Sequence, residues 1–404
     1  MTPSSIICSL ASLLLVALSL IPFAHGTAFD LPVLFRNSYA VVETFIGTPA
    51  ESHFLAFDTG SSMVWVVDGA CAETCPNVSG TPRSGYDANA SSTSVKLNTY
   101  ASISYLGGVT SGFGISDVFH LPVDPGFEWN QTFLAANDSS WAALSADGFL
   151  GLAFSTIAEA GLKTMVETMM QDGALSAHKF GLYYGTTVGG NSNSSANGKL
   201  TLGGSHESMY VEGGVAAMTY VPLQMNSAEY QLWETNMHGV VGRHTSMNGS
   251  VASTITYPSS GSAWAVFDTG AGSITVPSVD IDAIYNSIGM NYTAIVNGEY
   301  IPLCTEFNSS WSVTFQFGDD LCPQEVTLTG DQLAQPGFAG GQQDKCWPPF
   351  DSSDSSGLYL FGARYLFQLY TVFDFGAFHV DKYTPRIGFG QLKAEWKPTV
   401  ENTG

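Results

Sequence analysis

Basic residues are scarce. Thirteen Lys and Arg stand against 35 Asp and Glu in 404 residues, a formal net charge of -22. A chain this acidic is repelled by polyanions, which argues against nucleic acid and anionic membranes as partners. Charge of either sign is thin as well, at 12% of residues, low for a soluble protein. Few cations then lose a partner when carboxylates take up protons, a composition suited to acid. Beyond the N-terminus, no apolar run is long enough to span a bilayer. Low-complexity repeats and lipid-anchor signals are missing too, which argues against a structural or surface-attachment role. No His cluster accompanies the cysteines, so a zinc site is not expected.

What is present begins with an apolar stretch from Ile6 to Leu20, followed by the small-residue segment Ala24-His25-Gly26. Residues 1–26 are expected to be a cleaved signal peptide, and the mature chain to be soluble and secreted. Eight Asn-X-Ser/Thr sequons fit that route: Asn77, Asn89, Asn130, Asn137, Asn193, Asn248, Asn291 and Asn308. Cys8 leaves with the signal. Cys71 and Cys75 are close enough to close a small loop, while Cys304, Cys322 and Cys346 leave one thiol over, and the sequence does not say which. The 378 residues after the cut exceed one ordinary core, so two domains are expected. Short β-branched and aromatic runs separated by Gly, Ser, Asn and Pro predict strands at 39–46, 54–57, 63–67, 199–202, 220–223, 311–317 and 370–375. Helices are predicted only at 164–171 and 279–288, and the Gly/Ser/Asn-rich segment 189–198 reads as a flexible loop. The chain is thus expected to be all-β and two-lobed, with the halves changing over near residues 206–215.

The chemistry lies in a repeat. Asp58-Thr59-Gly60 follows the apolar run Phe54-Leu55-Ala56-Phe57, and Asp268-Thr269-Gly270 follows Trp264-Ala265-Val266-Phe267. At average composition one such tripeptide is expected in about one chain in ten of this length. Two copies, one per half, place a carboxylate at the same point of two similar units. Each is followed by an apolar-apolar-Gly element, Phe149-Leu150-Gly151 and Leu360-Phe361-Gly362. If the units pack face to face, the carboxylates meet and share a proton.

The chain resembles the pepsin-like aspartic endopeptidases over nearly all of residues 27–392. Residues 39–50 (YAVVETFIGTPA), 57–65 (FDTGSSMVW), 86–93 (YDANASST), Ile103-Ser104-Tyr105, 147–152 (DGFLGL) and 360–373 (LFGARYLFQLYTVF) match that family's motifs in order. The resemblance implies a bilobal pepsin-like fold with two pseudo-symmetric β lobes and a few short helices. It places an N-terminal lobe at 27–208, a C-terminal lobe at 209–394 and a polar tail at 395–404. It also implies hydrolysis of polypeptides, between hydrophobic residues, by an Asp58/Asp268 dyad that activates water without any cofactor or metal, in a protein working as a monomer. Thr59 and Thr269 are expected to lock the two loops together, Gly60 and Gly270 to admit backbone N–H groups, and Ser61 to donate to Asp58. Tyr105 is expected to close over substrate, held by a hydrogen bond to Trp65, with Gly107, Phe113 and Trp141 completing the flap and substrate-binding set. Ala56 is assigned to the same side of the cleft, Val266 and Leu360 to the other. The expected bridge-forming cysteines are Cys71, Cys75, Cys304 and Cys346, with no role assigned to Cys322.

Three departures from the family stand out. Ala271 replaces the usual Thr or Ser after the second tripeptide and cannot donate to Asp268, which predicts a less acidic optimum. The flap reads Tyr105-Leu106-Gly107-Gly108, where Tyr-Gly-Thr-Gly is usual. Only 31 residues separate the expected cut from Asp58, which leaves no room for the usual basic propeptide. The alternative function is a pepsin-fold binding or inhibitor protein; such proteins typically lose an Asp or the flap Tyr, and both are retained.

Overall fold

The computed structural model of the protein describes residues 26–187, 197–246, 249–319 and 321–399. The expected signal peptide (except Gly26), most of the 189–198 loop and the sequons Asn193 and Asn248 lie outside the described residues.

Strands dominate. In the first half they are β1 (Phe29–Arg36), β2 (Tyr39–Ile46), β3 (Glu51–Asp58), β4 (Val64–Val67), β5 (Val95–Ser104), β6 (Val109–Leu121), β7 (Asp124–Ser139), β8 (Gly148–Gly151), β9 (Lys179–Tyr183) and β10 (Gly198–Leu202). The second half holds β11 (Thr219–Pro222), β12 (Glu234–Thr245), β13 (Val251–Thr256), β14 (Trp264–Phe267), β15 (Ile274–Pro277), β16 (Trp311–Phe317) and β17 (Gln324–Thr329). It ends with β18 (Asp351–Ser353), β19 (Leu358–Phe361), β20 (Leu369–Asp374) and β21 (Arg386–Gln391). The seven strands read from the sequence all form, with ends shifted by a few residues at most. The two predicted helices form as Met165–Gln171, capped by Thr164, and Ile281–Ser287.

The strands make two sheets. One has 13 strands in the order β11-β21-β20-β9-β10-β1-β2-β3-β8-β4-β7-β6-β5, and the other runs β17-β16-β12-β14-β19-β15-β18 with β13 on β12. The architecture is mostly β, two sheets with a few short helices, as expected. Three strands from the second half, β11, β20 and β21, belong to the first sheet, where β20 pairs antiparallel with β9 from Thr371↔Leu182 to Asp374↔Lys179. One core of buried residues runs through both halves, joining Leu55, Phe57 and Phe154 to Trp233, Phe267 and Phe373. A smaller one, around Ala56, Trp65, Leu134 and Phe149, has Tyr105 and Trp141 packed on its edge. Because strand side chains alternate, β3 serves both cores: Leu55 and Phe57 face the first, Ala56 the second. A strand buried on both faces is rigid, and β3 ends in Asp58.

Cys71–Cys75 and Cys304–Cys346 are bridged, with Cα atoms 4.7 and 4.8 Å apart. No described cysteine is free, and Cys322 is disulfide-bonded. This corrects the expectation that one of Cys304, Cys322 and Cys346 would be left over as a thiol. The tail is less detached than its polarity implies. The Trp396 ring stacks edge-on against Tyr183 and Tyr210, and Thr399 N donates to Thr186 O.

Candidate active site

Each half delivers its Asp-Thr-Gly from a strand end that is pinned from behind. β8 lies parallel to β3, with Asp58 opposite Gly151, and Leu152 N donates to Asp58 O at 2.7 Å. In the second half β19 lies parallel to β14, and Asp268 N donates to Phe361 O at 3.0 Å. The glycine ending each apolar-apolar-Gly element is a contact requirement. A Cβ on Gly151 would fall 2.3 Å from Ser62 C, and one on Gly362 would fall 2.4 Å from Ala271 O.

The two loops then close on each other through a reciprocal set of four hydrogen bonds. Thr59 Oγ1 donates to Phe267 O at 2.8 Å and accepts from Thr269 N at 2.9 Å. Thr269 Oγ1 donates to Phe57 O at 3.0 Å and accepts from Thr59 N at 3.0 Å. Both threonines are buried, where such bonds are not exchanged for water. The carboxyls of Asp58 and Asp268 are thereby brought together. A Cβ on Gly60 would lie 2.4 to 2.6 Å from the Asp268 carboxyl, and one on Gly270 would lie 2.6 Å from Asp58 Oδ1. Only glycine lets the carboxyls approach this closely.

Support of the two carboxyls is unequal. Asp58 accepts from Gly60 N at 2.8 Å and from the Ser61 hydroxyl at 2.5 Å. Asp268 accepts from Gly270 N at 2.8 Å, and at the Ser61-equivalent position Ala271 offers only backbone. Burial, and next the charge of Asp58 beside it, push the Asp268 carboxyl well above the usual range. Tyr184 packs beneath, its ring 5.9 Å from Phe57 and 4.4 Å from Phe367. Its hydroxyl is buried without a partner and held neutral by burial and by the carboxyl pair above it. A close carboxyl pair sharing one proton, with one member equipped for the charge and the other for the proton, can both remove a proton from water and donate one to an oxygen.

The β5–β6 hairpin forms the flap. Tyr105 N donates to Gly108 O at 2.8 Å across its tip, where Leu106 is 97% exposed. Gly107 lies on Trp141, where a Cβ would meet the ring at 2.6 Å. The Tyr105 ring is 5.6 Å from Trp141 and 5.4 Å from Phe149. Tyr105 Oη lies toward Trp65 Nε1 and the Ser61 hydroxyl, as expected, but no well-formed hydrogen bond is made to either. Trp141 and Phe149 hold the Tyr105 ring from its sides, and the Trp65 ring lies 5.2 Å from Phe149. Phe113 is not brought to the cleft either. It pairs with Tyr100 across the hairpin, ring to ring at 5.0 Å, and contacts neither Tyr105 nor Trp141 through its ring.

A cleft of about 320 Å³ opens over Asp58, with Ala56, Phe149, Thr269, Gly270 and Ala271 in its wall. Val266 and Leu360 pair with each other across β14 and β19 and are not part of that wall. Sequence reasoning missed the residues that close one end: Asn37 to Ala40 from the β1–β2 turn, and Ala363 and Phe367. A signal existed for the turn. Asn37-Ser38 between two strands is two-residue hairpin chemistry, and both residues have positive φ, 44° and 70°.

Comparison with known proteins gives one consistent result. The family described as eukaryotic aspartyl protease matches residues 39–384. The chain is similar to cathepsin E-B of Xenopus laevis, 29% identical over 350 residues that cover 83% of this chain and 76% of the relative. It is similar to pepsin A of Rhinolophus ferrumequinum, 29% identical over 339 residues (82% and 77%), and to renin of Echis ocellatus, 26% identical over 372 (90% and 83%). With two Asp-Thr-Gly loops interlocked at the base of one cleft and a family match running from β2 to the last turn before β21, this chain belongs to the eukaryotic aspartyl proteases, which are hydrolases.

Proposed function

We propose that the protein is an endopeptidase in which Asp58 and Asp268 jointly activate a water molecule against a peptide carbonyl. The observation that carries this reading is the unequal support of the two facing carboxyls. Asp58, with Ser61 and Gly60 donating to it, is suited to remain ionised and take a proton from the water. Asp268, deprived of a hydroxyl donor, keeps the proton of the pair and lends it to the carbonyl oxygen as the water oxygen bonds to carbon. Collapse of the tetrahedral intermediate breaks the C–N bond as the amine takes a proton, and neither carboxyl becomes covalently attached. The threonine interlock supplies precision, since misplacing a catalytic group by 1 Å can cost about 100-fold in rate.

The cleft wall around Ala56, Phe149 and Phe367 favours apolar side chains flanking the scissile bond. Tyr105 and Gly107, carried on the flap, close over the bound chain. Residues 27–208 and 209–394 act as the two lobes of one active monomer. A secretory route is supported by the six described sequons, whose Asn77, Asn89, Asn130, Asn137, Asn291 and Asn308 are all exposed.

The test is cleavage of an unfolded protein from roughly pH 2.5 to 7, the carboxylate titration range, with and without pepstatin, by wild type and by Asp268→Asn. Pepstatin-sensitive cleavage lost in the variant is expected. No cleavage at any pH by the folded wild type would overturn the reading and leave a binding role. Ala271→Thr adds a donor to Asp268, so the acid limb of the profile should move to lower pH; an unmoved limb would show that the alanine does not set it.

A further inference from the structure

The outer face of the flap hairpin carries an apolar patch that the proposed chemistry does not use. Tyr100 on β5 and Phe113 on β6 stand opposite each other, rings 5.0 Å apart, each 53% exposed. Two half-bare aromatic rings side by side on a strand pair are an aggregation hazard unless something covers them. Next to them is Asn137. It is the extra residue of a β-bulge, because Gly112 pairs with Ala136 and Ser111 with Asp138. Phe113 pairs with Ala135, two residues before Asn137, and the Tyr100 hydroxyl donates to Asn137 Oδ1 at 3.5 Å. Asn137 therefore shares the face of the two rings. It is also the first residue of Asn137-Asp138-Ser139, and the other described sequons have no comparable exposed ring pair hydrogen-bonded to their asparagine.

We propose that Asn137 carries an N-linked glycan whose first sugar lies over the Tyr100–Phe113 pair and clamps the flap hairpin from outside. The modification joins C1 of the first N-acetylhexosamine to Asn137 Nδ2. The nitrogen gives up one proton, and the C1–oxygen bond of a polyprenyl-diphosphate-linked oligosaccharide breaks to release the polyprenyl diphosphate. Oδ1 is untouched, so the contact with Tyr100 survives and fixes the amide that aims the sugar. The apolar face of a pyranose set on an aromatic ring excludes water from both, and the polar outer edge of the glycan takes the place of the bare rings at the surface. The bulge gives the reach, because the residue it expels from the ladder stands clear of both neighbouring strands.

The inference rests on the secretory reading above, and the experiment separates the two. The full chain is produced through a eukaryotic secretory pathway, and each sequon is mapped by mass spectrometry before and after enzymatic glycan release. Wild type, Asn137→Gln, Phe113→Ala and the double variant are then compared by thermal unfolding. Occupancy at Asn137 is expected, with Phe113→Ala lowering the Tm by about 2 °C or more in the glycosylated protein and by much less in the Asn137→Gln background. Glycans at other sequons with Asn137 bare would overturn the inference alone, whereas no glycan anywhere would overturn the secretory reading. An occupied Asn137 with additive Tm shifts would overturn the clamp. So would self-association of the glycosylated wild type abolished by Phe113→Ala, since a second copy would then be the cover.

Discussion

Gly60 is the residue on which the geometry of the carboxyl pair depends most directly. Its missing Cβ is the space the Asp268 carboxyl occupies, so Gly60→Ala should lower kcat by about 100-fold or more. Because Thr59 and Thr269 still interlock, the variant should keep most of its stability. Circular dichroism melts run beside the kinetics check this, and a fully active Gly60→Ala would refute the argument. His53 is a second residue with a defined consequence. It is fully buried in β3, and neither ring nitrogen has a well-formed hydrogen bond. Burial lowers its pKa from 6.5 to about 4, with the Ser84 backbone offsetting a little. Between those values the unfolded chain binds the proton and the folded one does not, so stability falls as the pH drops through that window. The full 2.5-unit difference corresponds to about 3 kcal/mol. His53→Phe should therefore gain stability at pH 4.5 relative to pH 7, measured as the difference in denaturation midpoint. An unchanged pH dependence would mean that other groups set the acid limit.

At the scale of elements, the flap departs from the family expectation in ways that packing explains. Its tip lies on the Trp141 ring, which is flat, stiff and held by Phe149 at 4.9 Å. Gly107→Ala must lift the tip and take Tyr105 with it, so kcat/KM should fall about tenfold while Tm stays within a few degrees; an unaffected kcat/KM would mean that Tyr105 does not depend on this seat. How far the sequence could be read follows from the same physics. Asp58, Asp268 and the two apolar-apolar-Gly strands were legible because each is a residue type that its position tolerates no substitute for. Ser61 was legible for a similar reason, as a short hydroxyl three residues from the carboxyl it serves. Phe113 was not, because a strand residue's face depends on register parity and nothing in residues 109–121 announces which parity applies. The Trp65–Tyr105 pairing was legible only in part: motif spacing placed both residues in the same pocket, where their polar tips meet without a well-formed bond.

For the whole molecule, the decisive feature is that the halves share a sheet. The β20–β9 pairing ends at Asp374, which accepts from His178 Nδ1 at 2.8 Å, Gly376 N at 3.0 Å and Arg386 Nε at 2.9 Å. Burial works against the charge, yet these bonds hold its carboxyl down at about 2. The sign is opposite to that of a raised acid: the contribution is present above the unfolded value near 3.8 and is lost as the pH falls toward 2. Asp374→Asn should cost about 2 kcal/mol at pH 6 and almost nothing near pH 2, as urea titrations at both values would record; equal losses at the two would refute it. That sharing was invisible in the sequence, since 370–375 reads as a strand in either sheet.

Trp233 crosses the same seam, its Nε1 donating to Leu152 O at 2.8 Å and its ring lying 4.9 Å from Phe154. A protease is always among its own available substrates, and the stretch between β10 and β11 is the covalent thread between the halves. Were it nicked, β9 and β20 would still be zipped together, Tyr383 would still reach Glu167 at 2.9 Å, and the two threonines would still hold each other's loops. The broken enzyme would remain a single particle with its carboxyls in register, so that self-digestion at this point would change the number of chains without changing the machine.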